Sequence, residues 1–438
     1  MSKTQNPHCY GASLLYYEGK FQKDWALEVS GGTILKVAPA SNFDQKTFTD
    51  LGSVALIPGT INTHNHSFQS LVRGFADDMS FFDWRDKGIY RLSLNLKKED
   101  VYTGALFAFG EMLKHGITTV CDFFYLQDGG NENAKAVIQA AKDLGIRLVL
   151  ARAFYDWEKG PKSYRETKGE AKKRCSELIK EFQNDPMVTI YPAPHSPHAA
   201  SEEMIVAGFE IAEEFNLMFH IHLAEAQYEV EDIKKQKGLS PLFYLNRLGV
   251  VTNKMVGVHC VWLSDKEIEL MGEREVKLSY NPSSNMFLGD GVAPIQKMLQ
   301  KRVTIGLGTD GACSNNKTSI FEEMRMASLL QKVHLLDGRA VGAKEAFKMG
   351  TENGGKVLGL PIGKLQAGYQ ADFMTVNLNA LELYPIQNLE NNLVYSFSSS
   401  IIEDVFVHGK KVFSEGKILA YPEEKILERV KKLTTSWK

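Results

Sequence analysis

Val54-Ala-Leu-Ile-Pro-Gly-Thr-Ile-Asn-Thr-His64-Asn-His66 is a nearly continuous apolar run that ends in two histidines one residue apart. Continuous apolarity marks a strand covered on both faces. Seven more short runs of this kind follow: Ile117–Phe124, Arg147–Phe154, Val188–His195, Met218–Glu225, Met255–Cys260, Val276–Asn281 and Val303–Asp310. Between them apolar residues recur at helical spacing, as in Val101–Leu113, Ala134–Leu144, Glu202–Phe215 and Phe321–Val333. Strands that alternate with helices imply a parallel sheet. Eight such units predict an α/β fold closed as a (β/α)8 TIM barrel rather than left as an open sheet.

The flanks read differently. Leu27-Glu-Val-Ser-Gly-Gly-Thr-Ile-Leu-Lys-Val is two alternating strands around Gly31–Gly32, a hairpin signal. Asp372–Asn377 and Asp404–Phe413 also read as strands, the latter turning at His408–Gly409. Neither flank is long enough to bury a core alone. Residues 1–57 and 362–438 are therefore expected to meet in one small β-sandwich beside a barrel of residues 58–361. Gly354–Gly355 with Pro361 reads as the exit from the barrel.

Composition narrows the function classes. With 438 residues and 44% apolar content, the chain can bury a sizeable core. Its net charge of -2 gives no bulk field to draw nucleic acid or an anionic membrane. The basic stretches at Lys172–Lys180 and Lys431–Lys432 read as solvated helix faces. Cys9, Cys121, Cys175, Cys260 and Cys313 form no CxxC pair, which suits a reducing compartment. The N-terminus MSKTQNPHCYGAS lacks a continuous apolar core, and no run reaches the length of about 20 apolar residues that a span needs. A cytoplasmic protein is expected.

The strand ends carry the chemistry. Residues i and i+2 on a strand point the same way, so His64 and His66 can grip one ion. The fifth run ends in His220-Ile-His222-Leu-Ala-Glu225, where either histidine is a possible third ligand by parity. The fourth ends at His195, the sixth at His259 and the eighth at Asp310. The carboxyl-terminal face of such a barrel is where active sites sit. Nitrogen and carboxylate ligands without thiolate suit Zn2+, with Fe2+ or another divalent ion as alternatives. Zinc lowers the pKa of a bound water from about 15.7 to about 7. Glu225, three residues past His222, is placed as a general base that then protonates a leaving group, and His259 to stabilise a tetrahedral centre.

These motifs resemble the amidohydrolase superfamily, and within it the ATZ/TRZ branch of aminohydrolases and chlorohydrolases. The resemblance covers nearly the whole chain. It rests on PGTINTHNH, KHGITTVCDF, PHSPH, HIHLAE, GVHC, NPSSNMFLGDG, GTDGACSNN and the terminal GKLQAGYQADF. It implies that His64, His66, His222 and Asp310 hold one metal ion. It also implies that His259 bonds to water or substrate, and that Asp310 shares proton transfer with Glu225. His195 stands where binuclear members carry a bridging lysine, which implies one metal per subunit. Relatives are commonly dimers or tetramers, so a homo-oligomer is expected.

LVRGFADDMSFFDW and ASLLQKVHL resemble deaminases of adenosine-like compounds, including S-adenosylhomocysteine and methylthioadenosine. That resemblance puts His195 near the heterocycle, Trp84 in the pocket and Arg152 near a substrate tail. Those enzymes carry a ribose-binding glutamate nine residues after the tryptophan; here the residue is Ser93. Gln69 instead resembles a glutamine of deaminases of oxidised guanine, where it reads a ring carbonyl. The expected function is hydrolytic deamination of a purine-, pterin- or adenosine-like N-heterocycle, a small-molecule substrate. Triazine dechlorination or formimino-group hydrolysis is the alternative. Plainer readings stand beside these: Gln69 as a loop cap, Trp84 as core with Phe81 and Phe82, Arg152 paired with Asp156, and His198 and His220 as structural.

Overall fold

The computed structural model of the chain describes residues 7–435 and 437. The stretch read for an export signal begins in residues 1–6, outside the described residues. Five strands come from the N-terminal flank: β1 (His8–Tyr17), β2 (Lys20–Ser30), β3 (Thr33–Pro39), β4 (Phe48–Asp50) and β5 (Val54–Pro58). Eight follow in the middle: β6 (Thr60–Asn65), β7 (Ile117–Phe124), β8 (Arg147–Phe154), β9 (Val188–Pro194), β10 (Phe219–Leu223), β11 (Met255–His259), β12 (Lys277–Tyr280) and β13 (Thr304–Leu307). The C-terminal flank adds β14 (Phe373–Asn377), β15 (Ile402–Val407), β16 (Lys410–Ser414) and β17 (Lys417–Ile418).

The eight middle strands form the barrel. β6 to β9 pair in parallel and in order, as do β10 to β13. The two halves are joined where their strands end. His222 N donates to the His195 carbonyl and Asp310 N to the His64 carbonyl, each at 3.0 Å. The seams therefore coincide with the strand ends that carry the candidate ligands. All residues of β6, β7, β8, β10 and β11 are buried, as strands covered on both faces should be, although β6 itself (Thr60-Ile-Asn-Thr-His-Asn65) is mostly polar. Helices cover the outside. Capping boxes start Lys168–Phe182 at Thr167 and Asp265–Glu273 at Ser264, and Ser201 caps Glu202–Glu214.

The opening run proves to be two strands. β5 pairs with β1 and β14, whereas β6 starts the barrel. The two strands part at Gly59, where a Cβ would lie 2.2 Å from the Thr118 side chain. Strands of both flanks share one nine-stranded sheet in the order β17-β16-β15-β14-β5-β1-β2-β3, with β4 beside β1. The sheet curls on itself. Ile34 N, on the far strand β3, donates to Tyr369 O at 2.8 Å, just ahead of β14. Leu15, Leu27, Ile34, Leu56, Phe373 and Phe406 fill the enclosed core.

Gly354–Gly355 is a correction. Both lie inside a helix, Glu352–Leu358, which ends at Gly359 with φ +63°. Gly354 is small because the helix rides directly over Ile61 of the barrel. Among the described residues no helix is long and apolar enough to cross a membrane.

Candidate metal centre and active site

β6 delivers His64 from its last turn of pleat and His66 just beyond it, so both face the barrel mouth. His222 comes from β10, His259 from the end of β11, and Asp310 from the turn after β13. His64 Nε2 lies 3.5 Å from Asp310 Oδ1, and His66 Nε2 lies 3.4 Å from the same oxygen. His64, His222 and His259 form a second compact group sharing His64. The backbone is strained here: Ala224, His259, Cys260 and Asp310 have φ of +50°, +70°, +51° and +58°. Non-glycine residues hold such angles only where the surroundings enforce them.

These donors fit a divalent ion. His66 Nδ1 donates to Phe123 O at 2.6 Å and His222 Nδ1 to His195 O at 2.9 Å. Carbonyls only accept, so each Nε2 is left as a free lone pair. Both ring nitrogens of His64 are buried without a hydrogen-bond partner. Ligands about 2.1 Å from a tetrahedral zinc stand about 3.4 Å apart, close to the two separations above. Burial holds His66 down to about 4, with His64 adding to the effect, and pushes His222 and His195 well below the usual range. Neutral imidazoles are what a metal requires.

The carboxyls diverge. Burial alone would raise Asp310, but the neighbouring His64, His66 and His259 hold it well below the usual carboxylate range. Ser284 Oγ donates to its Oδ2 at 2.6 Å and Gly311 N to its Oδ1 at 2.7 Å. Glu225 goes the other way. Burial, then the charges of Asp290, Glu229 and Asp310, push it well above its ordinary value. Its Oε1 lies 3.5 Å from His259 Nε2. One group is thus a ready proton acceptor and the other a ready donor, a pairing typical of acid–base sites.

A cavity of about 730 Å3 opens above these groups. Trp84, Tyr125, Tyr155, Tyr164 and Tyr228 make much of its wall. His195 faces it, as does Gln69, whose Nε2 donates to Tyr125 OH at 2.8 Å. Trp84 both lines the cavity and anchors its floor, its Nε1 donating to Cys313 O at 2.9 Å.

Arg152 is not among these residues. It is fully buried and forms a two-pronged pair with Glu166, both contacts 2.7 Å. Its partner is therefore neither a substrate tail nor Asp156. His220 is also walled off, stacked on Tyr191 below the mouth. His198 borders the cavity, 3.4 Å from Glu229. Ser93 is buried against the Tyr164 hydroxyl and does not reach the cavity. Sequence reasoning missed the tyrosines, Glu229 and Ser284. Tyr125, directly after β7, and Tyr155, directly after β8, carried the strand-end signal that could have found them.

A barrel whose mouth gathers imidazoles, one charged and one uncharged carboxyl defines a metal-dependent hydrolase. The chain belongs to the amidohydrolase family, whose model matches residues 55–412. It is similar to the 5′-deoxyadenosine deaminase of Methanococcus maripaludis strain C6, with 36% identity over 407 residues, 92% of this chain and 94% of that one. A zinc-bound adenosine deaminase from Xanthomonas campestris superposes with a TM-score of 0.91 at 28% identity, covering 98% of each chain. Atrazine chlorohydrolase TrzN from Arthrobacter aurescens TC1, complexed with zinc, shares the fold at 22% identity and a TM-score of 0.91 over 97% of this chain and 99% of that one.

Proposed function

We propose that this chain is a zinc-dependent aminohydrolase that replaces the exocyclic amino group of an adenosine-like compound by oxygen and releases ammonia. The observation that carries the reading is the convergence of Asp310, Glu225 and His259 Nε2 on one aromatic-walled cavity beside the histidine cluster. His64, His66, His222 and Asp310 would hold the ion. Bound there, zinc supplies Lewis acidity that lowers the pKa of water to about 7.

The chain's own groups then divide the work. Aromatic side chains stack the ring and exclude bulk water. Asp310 accepts a proton from the attacking water as its oxygen joins the amino-bearing carbon. Glu225 gives its proton to the adjacent ring nitrogen, and His259 Nε2 donates a hydrogen bond to the oxygen. The proton taken by Asp310 passes to the amino group, the C–N bond breaks and ammonia leaves, while the proton still on the added oxygen returns to the Glu225 carboxylate. A ring nitrogen is left protonated beside a carbonyl.

Relatives named 5′-deoxyadenosine deaminase support a nucleoside. Position 93 offers no carboxylate to a ribose, since Ser93 is held against the Tyr164 hydroxyl. The test is ammonia release by the zinc-loaded protein from adenosine, 5′-deoxyadenosine, adenine, guanine and an aminopterin. Turnover of adenine-type rings, abolished by a chelator, is expected. No ammonia from any of the five would overturn the proposal.

A further inference from the structure

His259 can assist the reaction as described only if the proton of its neutral ring sits on Nε2, the atom 3.5 Å from Glu225 and 4.0 Å from Asp310. What holds it there is on the other side of the ring. His259 Nδ1 faces two side-chain amides, Asn285 at 3.0 Å and Asn281 at 3.3 Å. Asn285 Nδ2 also lies 3.3 Å from Asp290 Oδ2. Asp290, Asn285 and His259 are all buried, so these contacts are not exchanged with bulk water.

An amide nitrogen carries two hydrogens. One is directed to Asp290 Oδ2, 3.3 Å from the Asn285 amide nitrogen. The other must then point at His259 Nδ1, which can accept only as an unprotonated nitrogen. The backbone supports this posture. Asn285 N donates to Asn281 O at 3.1 Å and Asp290 N donates to Asn285 O at 2.9 Å. The neighbouring Ser284 meanwhile grips Asp310 Oδ2. One short helix, Pro282–Leu288, therefore presents consecutive residues to Asp310 and His259.

We infer that Asn285, pinned by Asp290, is a positioning residue that sets the Nε2–H tautomer of His259. The inference rests on the proposed aminohydrolase reading for its kinetic consequence, but not for the tautomer itself. The sharpest test exchanges the pair, Asn285→Asp together with Asp290→Asn. The carboxyl–amide contact survives, yet an acceptor now faces Nδ1 and draws the proton there. Nitrogen-15 NMR of the histidine rings, with His259→Gln to assign the signal, reads the tautomer directly in the wild-type and exchanged proteins.

The expected result is a wild-type proton on Nε2 and an exchanged protein with the proton on Nδ1. Its zinc content and KM stay unchanged and its kcat falls by about 100-fold, the loss typical of one transition-state donor. A wild-type proton on Nδ1, an exchange that leaves the proton in place, or an unchanged kcat overturns the inference. The wild-type spectrum answers even where the exchanged protein does not fold. It needs no turnover, so a protein without deaminase activity would refute the proposed function and leave this measurement decisive on its own.

Discussion

Glu225 and Arg152 show how a single side chain is read from its surroundings. Glu225 stands where burial, with Asp290, Glu229 and Asp310 close by, pushes its carboxyl well above its ordinary value, which suits it to give a proton. Glu225→Gln keeps the shape and removes the proton. Its kcat should fall by about 100- to 10,000-fold with zinc content unchanged, measured by ammonia release and elemental analysis. Arg152 is the opposite case. Its charge is spent on Glu166, which also accepts from Arg174 Nη1 at 2.6 Å. Arg152→Met should leave KM unaltered and lower the unfolding free energy by about 3 kcal/mol, read from urea denaturation, because a buried carboxylate loses its main partner. The contrast explains what was legible. His64, His66, His222, Glu225, His259 and Asp310 each close a strand at the barrel mouth, where position alone announces chemistry. Arg152 lies in β8 itself, where alternation decides whether a side chain faces the helices or the lumen.

At the scale of elements, β7 to β13 were readable to within three residues because burial on both faces leaves mostly apolar side chains, whereas β6 begins six residues after the run read for it. β1 was missed. In His8–Tyr17 buried and half-exposed positions mix, and Gly11 is needed only because the Phe48 ring presses on it. The π-helix Trp84–Tyr90 was missed too, since an aromatic cluster looks the same whether it fills a core or walls a cavity. The helix Ile320–Leu335 offers a test of packing between elements. Its Glu323 is buried, accepting from Ser283 N at 3.1 Å and Asn315 Nδ2 at 2.8 Å, and burial pushes its carboxyl up to about 7. A carboxyl raised on folding favours the folded state fully below its unfolded value, near 4.5. That contribution is lost as pH rises through about 7. Glu323→Gln removes the dependence. The stability of Glu323→Gln relative to wild type should therefore rise by on the order of 3 kcal/mol between pH 4.5 and 7.5, followed by denaturant midpoints. A difference that stays flat across that range would contradict the burial argument.

Across the whole molecule, the curled sheet and the barrel are tied at the end opposite the active site. Arg147, at the start of β8, donates through Nε to Asp372 Oδ2 at 2.7 Å and through Nη2 to Asp372 Oδ1 at 3.1 Å and Gln370 Oε1 at 3.0 Å. Asp372 Oδ1 also accepts from His408 N at 2.7 Å, so one clasp gathers β8, β14 and the turn between β15 and β16. Arg147→Ala should cost about 3–5 kcal/mol by thermal or urea unfolding, with kcat preserved in the folded fraction. The sequence pattern read Val54–His64 as one strand, where the structure has two, β5 in the flanking sheet and β6 in the barrel, parting at Gly59. We propose that His64, His66, His222 and Asp310 hold a single catalytic ion. A zinc titration of the chelated protein, followed by ammonia release from its best substrate, measures this directly. Activity should climb linearly to one zinc per chain and then level. Activity that survives chelation, or that needs two zinc ions per chain, would contradict it.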